Sequence, residues 1–436
     1  MNEMVWVGLL YLVFLLALAA LGLPIAAVLF LLGVAGAVVL LGWPVVLSFG
    51  DLAWSNLNDF ILVAIPLFVL MGEIMLRSGI ADRMYQALAA WLSPIPGGLL
   101  HTNIGACALF SATSGSSVAT AATIGTVALP SFARHGYNER LVLGSLAAGG
   151  TLGILIPPSI NLILYGAITN TSIGQLFLAA IIPGLIMTAA FGVLIFAAVA
   201  LWPQLRGEGN SSVPWRERVS LLLDLVPPVV IFLVVLGSLY SGLATPTEAA
   251  AIGVVAVVLM AMFYGRFSIA MLHQAFQSTL RTTAMLLLII VAAFFLNFVF
   301  SLVGLPQAIA RWITDLGVSP LATLWVLLLI YIILGCFLET LSMMITTIPI
   351  TTPLVVALGY DPVWFGVFIV IVCELALITP PVGLNLYVVQ GVRGGGKSIN
   401  DVIVGSLPFV GIMIAVTVLL MYVPDIALWV PRMAIR

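Results

Sequence analysis

Residues 151–166 read TLGILIPPSINLILYG, an apolar stretch of membrane-spanning character with two adjacent prolines at its centre. A proline has no backbone N–H and clashes with the preceding helical turn, so Pro157-Pro158 must interrupt a helix there and leave nearby carbonyls without intrahelical donors. In lipid, such irregular backbone survives only where protein buries it or where it lines a cavity. The break therefore marks a candidate site at membrane depth. The pattern returns at residues 375–391, LALITPPVGLNLYVVQG. Interrupted helices in corresponding halves of a chain point to a secondary transporter.

Of the 436 residues, 63% are hydrophobic and 7% charged, against roughly 25% charged in a soluble domain. Apolar runs of about 20 residues recur throughout, the signature of a polytopic membrane protein without a soluble domain of its own. A net charge of -2 gives no reason to expect a nucleic-acid partner. The N-terminus carries Glu3 and no basic residue before its apolar run, unlike a signal peptide, and reads as the first membrane helix. Cys107, Cys336 and Cys373 share no metal-ligand spacing and read as small packing residues. His101, His135 and His273 fall near expected membrane boundaries, which gives no support to a proton relay. No nucleophile, base and orienting acid share an expected site, and there is no phosphate loop, so the chain reads as a non-enzyme without a cofactor or transition metal.

In chain order, helices are expected near 4–21, 24–41 and 59–77, with a loop carrying Trp43, Asp51, Trp54 and Asp59 before the third. An interfacial segment follows, with Met84, Leu88 and Trp91 on its apolar side. The run SATSGSSVATAATIGTVALP, 111–130, is rich in small and hydroxylated residues with a Ser-Gly-Ser-Ser centre, and predicts a hairpin that folds back without crossing. A helix near 175–201 closes the half. The most polar run, 202–219, reads as a cytoplasmic linker. Helices near 222–240 and 247–264, an amphipathic piece at 267–280 and a separate helix near 281–301 come next. A second interfacial segment surrounds Pro306, Arg311 and Trp312, and a last helix near 403–424 ends the series.

Gly136-Tyr137, Pro130 and Pro157-Pro158 each recur 223 positions later, as Gly359-Tyr360, Pro353 and Pro380-Pro381. One offset joining five positions predicts an internal repeat. The first unit would be 1–201, with a hairpin at about 98–130 and a broken helix at about 141–170. The second would be 220–436, with a hairpin at about 321–356 and a broken helix at about 363–391. With the N-terminus periplasmic, eleven of the 14 Lys and Arg residues become cytoplasmic, leaving Arg311, Arg432 and Arg436 outside. That assignment starts the two halves on opposite sides, an inverted topology.

Such a repeat would gather two hairpin turns and two broken helices near the midplane, where amides face anions and unwound carbonyls face cations. Ser111, Thr113, Ser114, Ser116, Ser117, Thr120, Thr151, Thr340 and Thr379 supply neutral oxygens suited to sodium. Small residues in membrane helices also serve plain close packing. Glu339, beside the second hairpin's turn, is a functional candidate, whereas Glu374 could equally be a structural hydrogen-bond partner. Asn161 and Asn385 follow the two breaks and could face substrate or cap freed carbonyls. Glu248, in ATPTEAAA, reads as a helix-start acid with Thr245 or Thr247 as cap.

The segments SGSSVATAATIGTVALP, GTLGILIPPSINLILYG, TPTEAAA, ETLSMMITTIPITTP and ITPPVGLNLYVVQGV strongly resemble the large, DctM-like membrane subunit of tripartite ATP-independent periplasmic (TRAP) transporters, of the ion-transporter superfamily, over essentially the whole chain. The resemblance implies sodium-driven uptake of a small organic acid by an elevator movement in a bacterial or archaeal cytoplasmic membrane. It implies a periplasmic substrate-binding protein and a small four-helix membrane subunit as partners, the latter expected as a separate polypeptide. One sodium site would use Ser111, Ser114, Gly153, Ile156 and Pro158, and the other Gly335, Leu338, Ala376, Thr379 and Val382, largely through carbonyls. Substrate-binding candidates are Ser116, Ser117, Asn161, Glu339, Thr340 and Asn385. A stand-alone sodium–carboxylate symporter needing no binding protein is the alternative.

Overall fold

The computed structural model describes residues 3–207, 213–315, 317–335 and 338–434. Cys336, linker residues 208–212 and Arg436 lie outside them. The described residues are helical, without strands, and seven helices are long and apolar enough to cross a membrane.

The chain begins with α1 (Glu3–Ala20) and α2 (Ile25–Gly36), the latter running on as a π turn over Ala37–Leu41. The stretch expected as a loop at 43–59 is instead largely helical, as α3 (Pro44–Leu47) and α4 (Phe49–Leu57). Between its polar residues, Val45, Val46, Phe49 and Leu52 pack against the buried cluster of Ala37, Phe295 and Val299, with Phe49 edge-on against Phe30 and Phe295 at centroid distances of 4.9 and 5.3 Å. After a short turn capped by Asp59 come α5 (Ala64–Arg77) and the amphipathic α6 (Ile80–Leu92). The α6 apolar face buries Ile80, Met84 and Ala87.

Next are α7 (Leu99–Ser114) and α8 (Ser117–Arg134), then α9 (Glu139–Leu155) and α10 (Ile160–Thr169), bent by 40° at the Pro157-Pro158 break. The long α11 (Ile173–Leu201) leads to α12 (Trp215–Leu221), α13 (Val226–Tyr240) and α14 (Pro246–Phe263). Thr245 and Glu248 form a reciprocal capping box at the start of α14, which gives Glu248 its structural role. The pieces expected separately at 267–280 and 281–301 are one helix, α15 (Ile269–Leu302). No proline or glycine lies between those bounds, so the change from amphipathic to apolar surface does not interrupt the backbone.

The remainder is α16 (Leu305–Asp315), α17 (Pro320–Gly335), α18 (Thr340–Ala357), α19 (Pro362–Ile378), α20 (Leu384–Arg393) and α21 (Asn400–Tyr422). A further helix, α22 (Asp425–Ala434), follows the one expected to be last. It is amphipathic and buries Ala427, Leu428 and Pro431.

The interrupted helices form the centre. Every residue from 141 to 155 in α9 and from 363 to 378 in α19 is buried. Their approach to neighbours depends on small residues: a Cβ on Gly144 would stand 1.9 Å from the carbonyl oxygen of Gly405, so α9 and α21 meet backbone to backbone. Polar cross-links tie distant segments together, including Tyr165 Oη donating to Pro362 O at 2.7 Å and Trp364 Nε1 donating to Leu420 O at 3.2 Å. At one end, Arg393 bonds both Glu139 (2.9 Å) and Asp401 (3.1 Å), while Lys397 reaches Glu139 (2.8 Å) and Arg140 reaches Asp401 (2.9 Å). The α5, α14 and α15 helices pack beside this centre, with Thr247 Oγ1 donating to Phe60 O at 3.0 Å.

Candidate functional site

The turn between α7 and α8 follows from two residues. Gly115 adopts a left-handed φ of 59°, and Ser116 turns extended and caps α8 by accepting from Ala119 N at 3.4 Å. A Cβ on Gly115 would also stand 3.1 Å from Pro158 O, so glycine is required by conformation and by space. Around the turn the hydroxyls bond locally: Ser114 Oγ pairs with Thr120 Oγ1 at 2.8 Å, and Thr120 Oγ1 donates to Ser116 O at 2.8 Å. Ser111 Oγ donates to Cys107 O, and its carbonyl accepts from Gly115 N at 3.2 Å. In α18 the capping residue is Glu339, whose carboxylate accepts from Ser342 N at 3.3 Å.

Each proline pair frees identifiable carbonyls. In a continuous helix the donor to residue i is the N–H of i+4, so Pro157 withholds it from Gly153 and Pro381 withholds it from Leu377, whereas Ala376 O, facing Pro380, accepts from Thr379 N at 3.3 Å instead. Ile156 and Thr379 both have extended backbone where the helices stop, and both X-Pro bonds within the pairs are cis. Ser159 restarts the first helix as its N-cap; Gly383, at a φ of 50°, precedes the restart of the second.

The two hairpin pairs meet their partner helices in complementary ways. On one side Gly153 leaves room for the turn, since a Cβ there would stand 2.5 Å from Ser116 O. On the other, Ala376 occupies the corresponding space and Gly335 gives way, because a Cβ on Gly335 would stand 2.1 Å from that of Ala376. Ser111, Ser114, Leu338 and Pro158 are buried, Ile156 and Thr379 are half-buried, and Val382 is 40% exposed. Thr379 Oγ1 donates to Leu375 O at 2.6 Å.

These elements border one cleft of about 440 Å³, a size that suits a small organic ligand. Residues 114–119 line it from the first turn, Glu339, Thr340 and Leu341 from the second, Ile160 and Asn161 from one break, and Leu377 and Leu384 from the other. Of the expected substrate residues, Ser116, Ser117, Asn161, Glu339 and Thr340 thus share one cavity. Asn385 does not line it: it is fully buried beside Gly150, with neither side-chain polar atom partnered among the described residues. Nor does either asparagine cap a freed carbonyl, since Asn161 Nδ2 instead points at Met344 Sδ, 3.1 Å away.

Sequence reasoning missed the opposite wall. Gly72 and Glu73 of α5 and Thr282 and Met285 of α15 complete the cleft. Gly72 is the contact point, as a Cβ there would lie 3.1 Å from Ser114 O. Glu73 pairs with Arg77, which also donates to Ser278 at 2.9 Å. The Glu-x-x-x-Arg spacing in α5 is a detectable signal for that pair, but nothing local marks the side of α5 that faces the cleft. Also missed was the bond from Ser117 Oγ to Glu374 Oε1 at 2.7 Å, which spans 257 positions. Glu73 and Glu339 are the charged residues lining the cleft. Among the described residues no three His, Cys, Asp or Glu converge on a metal position. The local chemistry is that of neutral hydroxyls, freed carbonyls and helix N-terminal amides.

Residues 12–426 match the family model described as "Tripartite ATP-independent periplasmic transporter, DctM component". The chain is 36% identical over 378 residues to the C4-dicarboxylate TRAP transporter large permease protein DctM of Pseudomonas aeruginosa, covering 86% of this chain and 87% of that protein. It is 32% identical to the sialic acid TRAP transporter large permease protein SiaM of Vibrio cholerae, over 87% of this chain and 88% of that one. Against the ectoine/5-hydroxyectoine permease UehC of Ruegeria pomeroyi identity is 30%, over 88% and 91%. The YdaH transporter of Alcanivorax borkumensis superposes with a TM-score of 0.65 at 16% identity, covering 96% of this chain and 99% of that one, a likeness of fold.

Proposed function

The chain belongs to the DctM component family of tripartite ATP-independent periplasmic transporters, and from that premise we propose that it carries a small organic acid inward on a sodium gradient. It is a multi-pass membrane permease, not an enzyme. The substrate class includes carboxylates and related polar acids, in keeping with relatives named for C4-dicarboxylates, sialic acid and ectoine. A periplasmic binding protein delivers the substrate, and a small membrane subunit completes the complex.

The observation that carries this reading is the cleft: two turns and two proline breaks converge on it from opposite halves of the chain. One sodium ion is held by Ser111, Ser114, Gly153, Ile156 and Pro158, and another by Gly335, Leu338, Ala376, Thr379 and Val382. The proline-freed carbonyl at 153 is support for the first set, because a hard cation without a rigid geometry takes such an oxygen readily. Substrate occupies the cleft against Ser116, Ser117, Asn161, Glu339 and Thr340, while Asn385 supports the packing behind it.

Residues 1–201 and 220–436 are inverted repeats joined by a cytoplasmic linker at 202–219, with the N-terminus periplasmic. In support, α8 and α18, and likewise the ends of α9 and α19, stand 223 positions apart. The hairpins and broken helices move as one body past α5 and α15, an elevator step, and the glycine contact between Gly72 and Ser114 lies on the sliding surface.

The test is uptake into proteoliposomes containing the permease complex, with and without binding protein and with sodium or potassium outside. Uptake that needs both the binding protein and inward sodium supports the proposal. Uptake indifferent to sodium contradicts the coupling, and full uptake without binding protein contradicts the tripartite mode in favour of a stand-alone symporter.

A further inference from the structure

The bond between Ser117 and Glu374 links the two proposed ion sites. Ser117 is the first residue of α8, next to Ser116 and three positions from Ser114, on the wall of one site. Glu374 lies in α19, two positions before Ala376, on the wall of the other. Both are buried, and Ser117 Oγ donates to Glu374 Oε1 at 2.7 Å. The second carboxyl oxygen has no partner among the described residues, which leaves the serine as the group that fixes this side chain. A buried polar atom resists losing its one partner, so the bond transmits displacement rather than stretching.

Among the described residues the link is not repeated at the equivalent positions of the other pair. The positions equivalent by the 223-residue spacing are Thr340 and Thr151, and Thr151 Oγ1 donates to Ala148 O of its own helix at 2.6 Å and lies 3.8 Å from Met413 Sδ of α21, reaching no residue of the second turn. Thr340 Oγ1 donates to its neighbour Glu339 at 3.4 Å. Across the other pair, between the first broken helix and the second hairpin, the contact is instead from Asn161 Nδ2 to Met344 Sδ at 3.1 Å, away from these equivalent positions.

We propose that Glu374 is a positioning residue that, through Ser117, couples the two sodium sites, so that an ion ordering the first turn raises the affinity of the site at the second break. The effect is reciprocal, as any coupling between binding sites must be. This inference rests on the sodium reading given above.

The test is equilibrium binding of radioactive sodium to the purified full-length protein without substrate, at constant ionic strength with choline. The coupling predicts a Hill coefficient above about 1.5 in the wild type, falling to about 1 in Ser117→Ala and Glu374→Leu, since two coupled sites allow a maximum of about 2. Glu374→Gln keeps an acceptor for the serine and retains the steep curve. A purely structural role would lower the amount of binding-competent protein without changing the steepness. If Glu374→Leu does not fold, Ser117→Ala decides the matter, because it removes only the hydroxyl. A steep wild-type curve that stays equally steep in Ser117→Ala overturns the coupling alone. Absence of specific sodium binding by the wild type overturns the sodium reading, and the coupling with it.

Discussion

The Cβ position of Gly153 lies 2.5 Å from the carbonyl oxygen of Ser116. The first turn can therefore rest on the first break only while residue 153 has no side chain. Its nearest neighbours there are backbone atoms of Ser116 and Ser117, which cannot rotate aside. Gly153→Ala is expected to cost about 1–3 kcal/mol by overpacking and to push the turn away from the freed carbonyls. Sodium-dependent uptake should fall at least tenfold at matched protein levels in proteoliposomes. Uptake equal to wild type would show that this contact is not needed for the site.

The second break offers a reciprocal experiment. Gly335→Ala alone sets two β-carbons against each other, at 2.1 Å. Ala376→Gly removes the obstacle, so the double variant should recover most of the melting temperature and uptake lost by Gly335→Ala. Additive losses in the double variant would mean that the two positions do not share one space.

Gly144 and Gly405 test the packing that holds the centre together. A Cβ on either would stand 1.9 Å from a carbonyl oxygen of the facing helix. Gly144→Leu is expected to abolish stable expression, measured by fluorescence-detected size exclusion. Gly391→Ala, where a Cβ would meet no atom within 4 Å, should be tolerated.

The all-helical membrane class was legible because apolar runs dominate the chain, and the interruptions were legible because adjacent prolines have no helical solution. Ser116, Ser117, Asn161, Glu339 and Thr340 could be singled out because polar residues are conspicuous in apolar surroundings. Side-to-side relationships were not legible. Nothing in the local sequence turns Gly72 and Glu73 toward Ser114, and no periodicity pairs Ser117 with Glu374. Helix continuity also escaped where composition changes without a breaker, as in α15, and short amphipathic helices such as α4 and α22 were hidden by their polar faces.

Arg393 joins Glu139, from before the first break, to Asp401, at the start of α21. Its side chain is 5% exposed while its partners are considerably more open. Arg393→Ala should lower the melting temperature by a few degrees, and more than Lys397→Ala does, because the exposed lysine is weakly held. Raising the salt concentration should destabilise the wild type toward the variant through screening. Equal melting temperatures at low salt would remove the cluster from any account of how the two halves stay together.

The central claim is that the two turns and two breaks bind sodium, and the most direct measurement is the sodium concentration giving half-maximal uptake in proteoliposomes. Ser114→Ala and Thr379→Ala each remove one hydroxyl, one from each proposed sodium site. The account predicts that each raises half-saturating sodium by about tenfold, equivalent to about 1.4 kcal/mol, at wild-type protein levels. Unchanged sodium dependence in both variants would contradict it.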